Sequence, residues 1–372
     1  MPRFFTIALV LILALYGSRL AMATYPEEQS QPENVPESPR VPHIALLLPL
    51  ESPAFAEAAN IVKEGFAAAA MRGQTLPLII RLYSTTDDPL DILVTYHQAL
   101  TAGAVFVVGP LTRDGVSAVA TSNLSKVPTL ALNTVDSQIT LPPQFYLFGL
   151  QMESEAGQIA QWALTSGRNH AIIISDDSAL SKRLQNAFIQ SWPSENSKTA
   201  ESLRFVDNPT ILQQFRSLTA GGDRLVFLAL DAAKSRILRA YLDPDAPVYA
   251  TSQIFTGAGN FLFNNDLNGI RFLDMPWLLQ PDHPAVMAYR HTSQARSTDM
   301  ERLYALGIDA FRLMTDLLHL RPADEISFDG VTGYIRFAPP SQFIREAVAA
   351  QFENGKVQLM TIPGNIAEHE GQ

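Results

Sequence analysis

Two adjacent carboxylates, Asp176 and Asp177, follow an apolar run over residues 171–174 that predicts a buried strand. A pair of carboxylates at a strand end has the chemistry to bind an amine. The alternative is that the pair caps the next helix and occupies its first turn, where anionic side chains are stabilising. We favour the capping alternative and keep Asp176 and Asp177 as candidate ligand groups.

The other residue types that carry chemistry do not form a catalytic pattern. The seven histidines are scattered along the sequence, and no pair has the i, i+4 spacing of a metal site. No glycine-rich phosphate loop precedes a helical pattern, and no Gly-x-Ser-x-Gly elbow is present. The sequence therefore predicts a protein that is not an enzyme and that uses neither a metal nor a cofactor.

Polar residues also follow other predicted strands. Residues 104–108 and 128–132 are apolar runs joined by a helical pattern that Thr112 caps, which predicts a right-handed βαβ unit. Ligands of parallel sheets bind outside the carboxyl ends of the strands. The candidate cleft residues are Glu51, Ser52, Pro110, Leu111, Thr112, Asn133 and Thr134.

A tryptophan beside a proline is a third kind of candidate. Asp274, Met275 and Trp277 belong to one short run around Pro276. Aromatic residues anchor many protein contacts, so these three residues are candidates for contact with a partner. The alternative is that Trp277 closes the core where the chain crosses between two lobes.

The elements that position these residues alternate between strand and helix. One series covers residues 43–150 and a second begins near residue 153, which predicts two α/β lobes, each a doubly wound parallel sheet. A long helix is predicted over 300–320, with later strands over 331–337 and 343–352. Asn354-Gly355 then predicts a hairpin.

The restart of this alternation predicts a hinge of three crossovers. We place them near Gly149, Gln280 and Ile326. Lobe 1 would then contain residues 43–149 and 281–325, and lobe 2 residues 150–280 and 326–372.

The N-terminal residues predict export. Arg3 precedes an apolar run over 4–16, and Ala21-Met22-Ala23 is a small-x-small cleavage site, so residues 1–23 are a predicted signal peptide cleaved after Ala23. Residues 24–42 form a Pro/Glu-rich tether that leads to the globular domain at 43–372. The sequence contains no cysteine, so we expect a periplasmic protein without disulfides and without a lipid anchor.

Composition limits the classes of partner. Hydrophobic residues make up 47% of the chain and charged residues 17%, as in a globular domain. The formal net charge is −10, and the Lys and Arg residues form no basic run. Phosphate binding needs a clustered basic face, so no nucleic-acid partner is expected.

Several runs resemble known families. Three runs resemble the first lobe of type I periplasmic binding proteins: 43–50, 108–111 and 127–133. A fourth run, 328–337, resembles the leucine-binding branch of these proteins. Residues 266–279 and 302–313 are similar to the C-terminal domain of the penicillin-binding protein activators, the LpoA or LppC family.

The resemblance implies an outer-membrane lipoprotein that stimulates the transpeptidase of a class A penicillin-binding protein. It also implies a helical-repeat domain ahead of the binding-protein-like domain. This sequence departs from the pattern, since it lacks the lipidated cysteine and its tether leads directly into the first strand. We expect a non-catalytic periplasmic regulator of peptidoglycan synthesis that acts by contact.

The alternative is a solute-binding protein that delivers an amino acid or small peptide to an ABC transporter. Asn133 and Thr134 fall where leucine-type binding proteins hold their ligand, which favours a small molecule in the cleft. However, Pro110-Leu111-Thr112 replaces the serine-bearing loop of those proteins.

Overall fold

The computed structural model describes residues 40–72, 76–135, 139–193, 198–257, 261–289, 296–319 and 321–362. The predicted signal peptide and nearly all of the predicted tether lie outside these described residues. The described chain forms two lobes, and each is built on its own sheet.

The sheet of lobe 1 has the order β11-β12-β13-β5-β4-β3-β1-β2 in the described chain. Its early strands are β1 (His43–Leu48), β2 (Ile79–Ser84), β3 (Ala104–Val108), β4 (Thr129–Ala131) and β5 (Phe145–Leu147). Its late strands are β11 (Ser327–Asp329), β12 (Tyr334–Ala338) and β13 (Gln342–Glu346). The early strands pair in parallel, whereas β11, β12 and β13 pair antiparallel to one another.

The sheet of lobe 2 has the order β15-β14-β10-β9-β8-β6-β7 in the described chain. Its strands are β6 (His170–Ser175), β7 (Thr199–Arg204), β8 (Arg224–Ala229), β9 (Val248–Ala250), β10 (Ile270–Asp274), β14 (Val348–Glu353) and β15 (Lys356–Leu359). The predicted hairpin is confirmed, because Glu353 pairs with Lys356 across Asn354 and Gly355. Both of these turn residues have positive φ, which Asn and Gly tolerate.

Helices cover both faces of the sheets. In lobe 1 they are α1 (Ala56–Arg72), α2 (Pro89–Thr101), α3 (Arg113–Thr121), α10 (Pro276–Leu279), α11 (Pro284–Met287) and α12 (Thr298–Leu318). In lobe 2 they are α4 (Met152–Leu164), α5 (Ala179–Ser191), α6 (Pro209–Leu212), α7 (Phe215–Thr219), α8 (Ala232–Arg239) and α9 (Phe261–Asn265). Across the described ranges, no helix combines the length and the apolar character that a membrane span requires.

The third crossover lies later in the chain than the sequence predicts. Strands β11 to β13 belong to the sheet of lobe 1, so the placement near Ile326 is wrong. The chain changes sheets at Ala347, the single residue between β13 and β14. The run predicted as one strand over 343–352 is therefore two strands in different sheets. A continuous extended run has no local signal for such a change, because both halves bury apolar side chains.

The predicted helix cap at Thr112 is confirmed, and Asp88 and Asp231 cap two other helices. The side chain of Asp88 accepts a hydrogen bond from the backbone N–H of Leu90 (2.8 Å), and Thr112 accepts one from Gly115 (3.3 Å). Asp231 accepts one from the N–H of Lys234 (2.9 Å). These bonds satisfy N–H groups that a helix cannot pair internally.

The long helix α12 lies directly on α1 because two glycines allow close approach. A Cβ at Gly65 would lie 2.0 Å from the carbonyl oxygen of Tyr304, and one at Gly307 would lie 2.1 Å from that of Val62. Phe66 and Phe311 fill the space beside this contact with their rings edge to face at 5.2 Å. Helix α12 is therefore fixed in the core of lobe 1 along its length.

Candidate functional site

The predicted cleft residues of lobe 1 are engaged in local hydrogen bonds. The Ser52 hydroxyl is buried and accepts from the N–H groups of Ala54 and Phe55. Asn133 donates from Nδ2 to the carbonyl of Leu111 (2.9 Å), while its Oδ1 accepts from the N–H of Thr134 (2.9 Å). These groups hold the loops at the strand ends and are not directed at a ligand.

The remaining lobe 1 candidates divide into buried and exposed residues. Pro110, Leu111 and Thr112 are buried, and the Thr112 hydroxyl caps α3. Glu51 is exposed, and Thr134 lines a cavity between the lobes. The structure brings these residues to one edge of the sheet, as the βαβ prediction requires, without forming a polar pocket from them.

Asp176 and Asp177 form ion pairs with basic side chains of lobe 2. Asp176 lies 2.6 Å from the Nζ of Lys234, and Asp177 pairs with Lys182 and Arg204. The cap of α5 is Ser178, so our assignment of the cap to the aspartates is wrong by one residue. The amine of Lys234 occupies the position that a ligand amine would need.

The pKa values of Asp176 and Lys234 reflect their contacts. Burial alone would raise the pKa of Asp176, but hydrogen bonds from Lys234 and Ser178 outweigh it and hold the pKa at about 2. Hydrogen bonds to Asp176 and Asp231 raise the pKa of Lys234 to about 12. Asp176, Asp231 and Lys234 therefore stay charged at neutral pH, and the lysine binds both carboxylates.

The cavities between the lobes include two of similar volume. One of about 480 Å³ lies between the loops of lobe 2 and the start of α12, and it is lined by residues that include Asp231, Arg236, Phe255, Thr256 and Asp299. The other, of about 490 Å³, is lined by residues that include Arg113, Thr134, Glu153, Arg183 and Gln342. Both volumes are large enough for a small molecule.

An ion bridge connects the lobes at the second cavity. Arg113 of lobe 1 lies 3.2 Å from the Oε1 of Glu153, which also accepts from the Nε of Arg183 (2.7 Å). Burial would raise the pKa of Glu153, but its backbone hydrogen bond and the two guanidinium groups lower it. The carboxylate of Glu153 therefore stays charged and links both lobes.

A buried ion pair joins the lobes at the hinge. Arg302 of α12 binds both carboxylate oxygens of Asp274 at the end of β10, with Nη2–Oδ2 at 2.6 Å and Nε–Oδ1 at 3.2 Å. Its Nη2 also donates to the carbonyls of Ser252 (2.9 Å) and Phe255 (3.0 Å) in lobe 2. Burial would lower the pKa of Arg302, but Asp274 outweighs this and raises it, so the guanidinium keeps its charge.

A second buried pair lies beside the first. Glu155 of α4 accepts from the Nη2 of Arg345 on β13 (2.6 Å) and from the backbone N–H of Ser252 (3.0 Å). Ser252 is thus bound through its N–H by Glu155 and through its carbonyl by Arg302. We call Glu155, Ser252, Asp274, Arg302 and Arg345 the hinge network.

The sequence missed the hinge network, although one signal was present. Arg302 falls on the apolar side of the α12 pattern, where a charged residue predicts a buried partner. Glu155 and Arg345 have no comparable local signal, because they lie 190 residues apart in sequence.

The predicted contact residues around the proline are buried. Asp274 and Met275 have at most 1% exposure, and Trp277 has 8%. The indole N–H of Trp277 donates to Glu301 (2.7 Å), and its ring packs 5.5 Å from that of Tyr304. The core alternative therefore describes Trp277, and contact of these three residues with a partner stays a prediction.

The two sheets define the class of protein. Both are mixed and mainly parallel with flanking helices, which is the type I periplasmic-binding-protein fold. The chain belongs to the LppC family: the family model described as "LppC putative lipoprotein" matches residues 21–221 and 223–355. Both predictions from the sequence are confirmed.

Curated relatives carry the name penicillin-binding protein activator LpoA. The protein from Photobacterium profundum is 25% identical over 340 residues, which covers 80% of this chain and 54% of that protein. A Vibrio cholerae relative is 27% identical over 334 residues, covering 78% and 53%. The chain spans about half the length of the curated relatives it matches.

Solved structures show the same fold. The LpoA (YraM) C-domain from Haemophilus influenzae, described as a regulator of PBP1A, matches with a TM-score of 0.74 and 22% identity over 86% of this chain and 100% of that domain. A Chromobacterium violaceum protein described as a "putative branched-chain amino acid ABC transporter" matches with a TM-score of 0.70 and 37% identity, covering 84% and 99%.

In the described ranges, no three His, Cys, Asp or Glu side chains are arranged to hold a metal ion. The charged side chains at the strand ends form ion pairs within lobe 2 and between the lobes.

Proposed function

We propose that this protein is a non-catalytic regulator of peptidoglycan synthesis that activates a class A penicillin-binding protein by direct contact. The observation that carries this proposal is the similarity of the two-lobed domain to proteins named penicillin-binding protein activator. Their names describe activators and not enzymes. The proposed site of action is the periplasm, after removal of residues 1–23.

The interior of the cleft supports a role as a contact scaffold. A solute-binding protein needs polar groups that converge on its ligand, and it closes by bending at the hinge. Here Lys234 binds the strand-end carboxylates, and the hinge network joins the lobes through buried charges. Opening the lobes would separate groups that have lost their contact with water, which is costly.

The alternative is a periplasmic solute-binding protein for an amino acid or small peptide. The similarity to the Chromobacterium violaceum protein favours it, as do the cavities of about 480 and 490 Å³ between the lobes. Melting curves of the purified protein with each amino acid separate the proposals. A ligand at 100 times its dissociation constant stabilises the native state by about 2.7 kcal/mol, so binding would give a clear, saturable rise in melting temperature.

The decisive experiment measures cross-linking by a class A synthase from the same organism, with lipid II as substrate. We expect more cross-linked product when the protein is added, and no product from the protein alone. A synthase blocked with penicillin is the control, and it should give no cross-links with or without the protein. The proposal fails if the folded protein neither binds nor stimulates any class A synthase of its organism.

A further inference from the structure

Three consecutive large apolar side chains are exposed on lobe 2. Phe261, Leu262 and Phe263 of α9 have exposed fractions of 51%, 79% and 55%. We call these three residues the α9 shelf. Single exposed apolar residues are common on protein surfaces, but a contiguous group of this size is characteristic of an interaction site.

The α9 shelf is held firmly on the lobe. Asn264, the next residue, is fully buried and donates to the carbonyl of Gly257 (3.3 Å). On the opposite side, Gly355 of the β14–β15 turn lets the chain approach Phe261, since a Cβ there would lie 2.6 Å from the Phe261 carbonyl oxygen. A surface that is already ordered loses little conformational freedom when a partner binds.

Basic side chains flank the α9 shelf on a chain whose net charge is −10. The Nε of Arg236 donates to the carbonyl of Phe263 (3.1 Å), and its guanidinium lies 5.5 Å from the centre of the Phe263 ring. Arg239, one turn along α8, donates to the carbonyl of Asn268 just beyond α9 (3.0 Å). The complementary surface is an apolar pocket whose rim carries carboxylates.

We propose that the α9 shelf is the surface on which the penicillin-binding protein docks, through an apolar pocket rimmed by carboxylates. This inference rests on the proposed function and names the contact that it requires. Arg236 also lines the cavity of about 480 Å³ between the lobes, so its guanidinium lies between the α9 shelf and that cavity.

Two other occupants fit the charges less well. A second copy paired about a two-fold axis would place Arg236 near its own symmetry mate, where like charges repel. An anionic lipid surface would meet the exposed carboxylate of Asp266, which follows the shelf by three residues. A protein pocket with carboxylates on one side can avoid both conflicts.

The test compares substitutions at exposed positions on the two lobes. Leu262→Ser removes the most exposed side chain of the shelf, and Leu90→Ser is the matched control, because Leu90 is 71% exposed on α2 of lobe 1. Exposed substitutions rarely affect stability, and melting temperatures verify that each variant is folded. Binding to the class A synthase is measured by surface plasmon resonance with the full-length partner.

We expect Leu262→Ser to weaken binding at least about tenfold, as loss of an interface anchor does, and Leu90→Ser to leave it unchanged. Leu262→Asp should weaken binding more than Leu262→Lys, because the partner rim is acidic. The α9 shelf is refuted as the docking surface if Leu262→Ser binds the synthase as tightly as wild type does. It is also refuted if Leu90→Ser loses as much affinity as Leu262→Ser. If Leu262→Lys loses more affinity than Leu262→Asp, the rim of the partner pocket is not acidic.

The controls separate this inference from the proposed function. If wild type itself does not bind a synthase, the proposed function fails. If wild type binds but the shelf variants bind equally well, only the shelf is refuted. Sedimentation tests for a dimer, and flotation with phosphatidylglycerol vesicles tests for lipid binding. If wild type forms a dimer or binds the vesicles and Leu262→Ser does not, the α9 shelf has another occupant and the inference is overturned.

Discussion

Replacing Arg302 with methionine tests whether the hinge network holds the lobes together. The substitution keeps a long side chain in the core of lobe 1 but removes the guanidinium from both oxygens of Asp274. Asp274 is fully buried, so its charge would keep only the backbone N–H of Met275 (2.8 Å) and would have no counter-ion. Breaking a buried pair in this way costs about 3 to 5 kcal/mol of unfolding free energy. The carbonyls of Ser252 and Phe255 also lose a donor, which places the expected loss in the upper part of this range.

Urea denaturation followed by circular dichroism measures this loss. Arg336→Met is the matched control, because Arg336 pairs with Glu346 at 2.7 Å on the surface, with the two side chains 47% and 33% exposed. An exposed pair contributes about 0 to 1 kcal/mol. The double substitution Arg302→Met with Asp274→Leu removes both charges, and it should recover much of the stability because no buried charge remains.

The pH dependence of Arg302→Met has a definite sign. Burial raises the pKa of Asp274, and Arg302 is the strongest influence that opposes this rise. Without Arg302 the pKa of Asp274 rises further, and protonation removes the unpaired charge. The stability deficit of the variant should therefore be largest at neutral pH and shrink as the pH is lowered. A deficit below about 1 kcal/mol at pH 7, the size expected for an exposed pair, would refute the structural role of the network.

Three further predictions concern other regions. The lowered pKa of Asp176 stabilises the folded protein at pH values above 3.8, and this stabilisation is lost as the pH falls from 3.8 to about 2. The difference in melting temperature between wild type and Lys234→Met should therefore shrink over that pH interval. A constant difference would contradict the ion pair between Asp176 and Lys234. Trp277→Ala should cost about 3 to 5 kcal/mol in urea denaturation, as for a core aromatic, while the folded fraction keeps its affinity for the synthase; lost affinity at full stability would restore the contact role. The intact mass of the exported protein should equal that of a chain that begins at Thr24. A mass that includes the signal peptide or a lipid adduct would contradict cleavage after Ala23.

Local patterns predicted local structure well. The cap at Thr112 and the Asn354-Gly355 hairpin depend on contacts within a few residues, which the sequence shows directly. The two-lobed fold followed from the restart of the strand and helix alternation. These features required no knowledge of distant contacts.

Features that depend on distant partners were not predictable in the same way. Ala347 ends one lobe and begins the other inside a continuous apolar run, so its neighbours in sequence do not mark the change of sheet. The local sequence around Glu155 is that of any acidic residue in the first turn of a helix, and only the fold shows that Arg345 is its partner. Trp277 was compatible with a core and with an interface, and only its burial distinguished them.

The single-residue crossover at Ala347 has a consequence for the order in which the chain can fold. Strand β13 completes the sheet of lobe 1 by joining β12 to β5, and strands β14 and β15 complete the sheet of lobe 2 immediately afterwards. Neither lobe is complete until nearly all of the described chain has been synthesised. Fragments produced by cutting the chain between the lobes would each lack strands, and a chain ending at Ala338 would leave both sheets unfinished. Assembly of the two lobes is therefore a late and coupled event, limited by contacts between residues far apart in sequence.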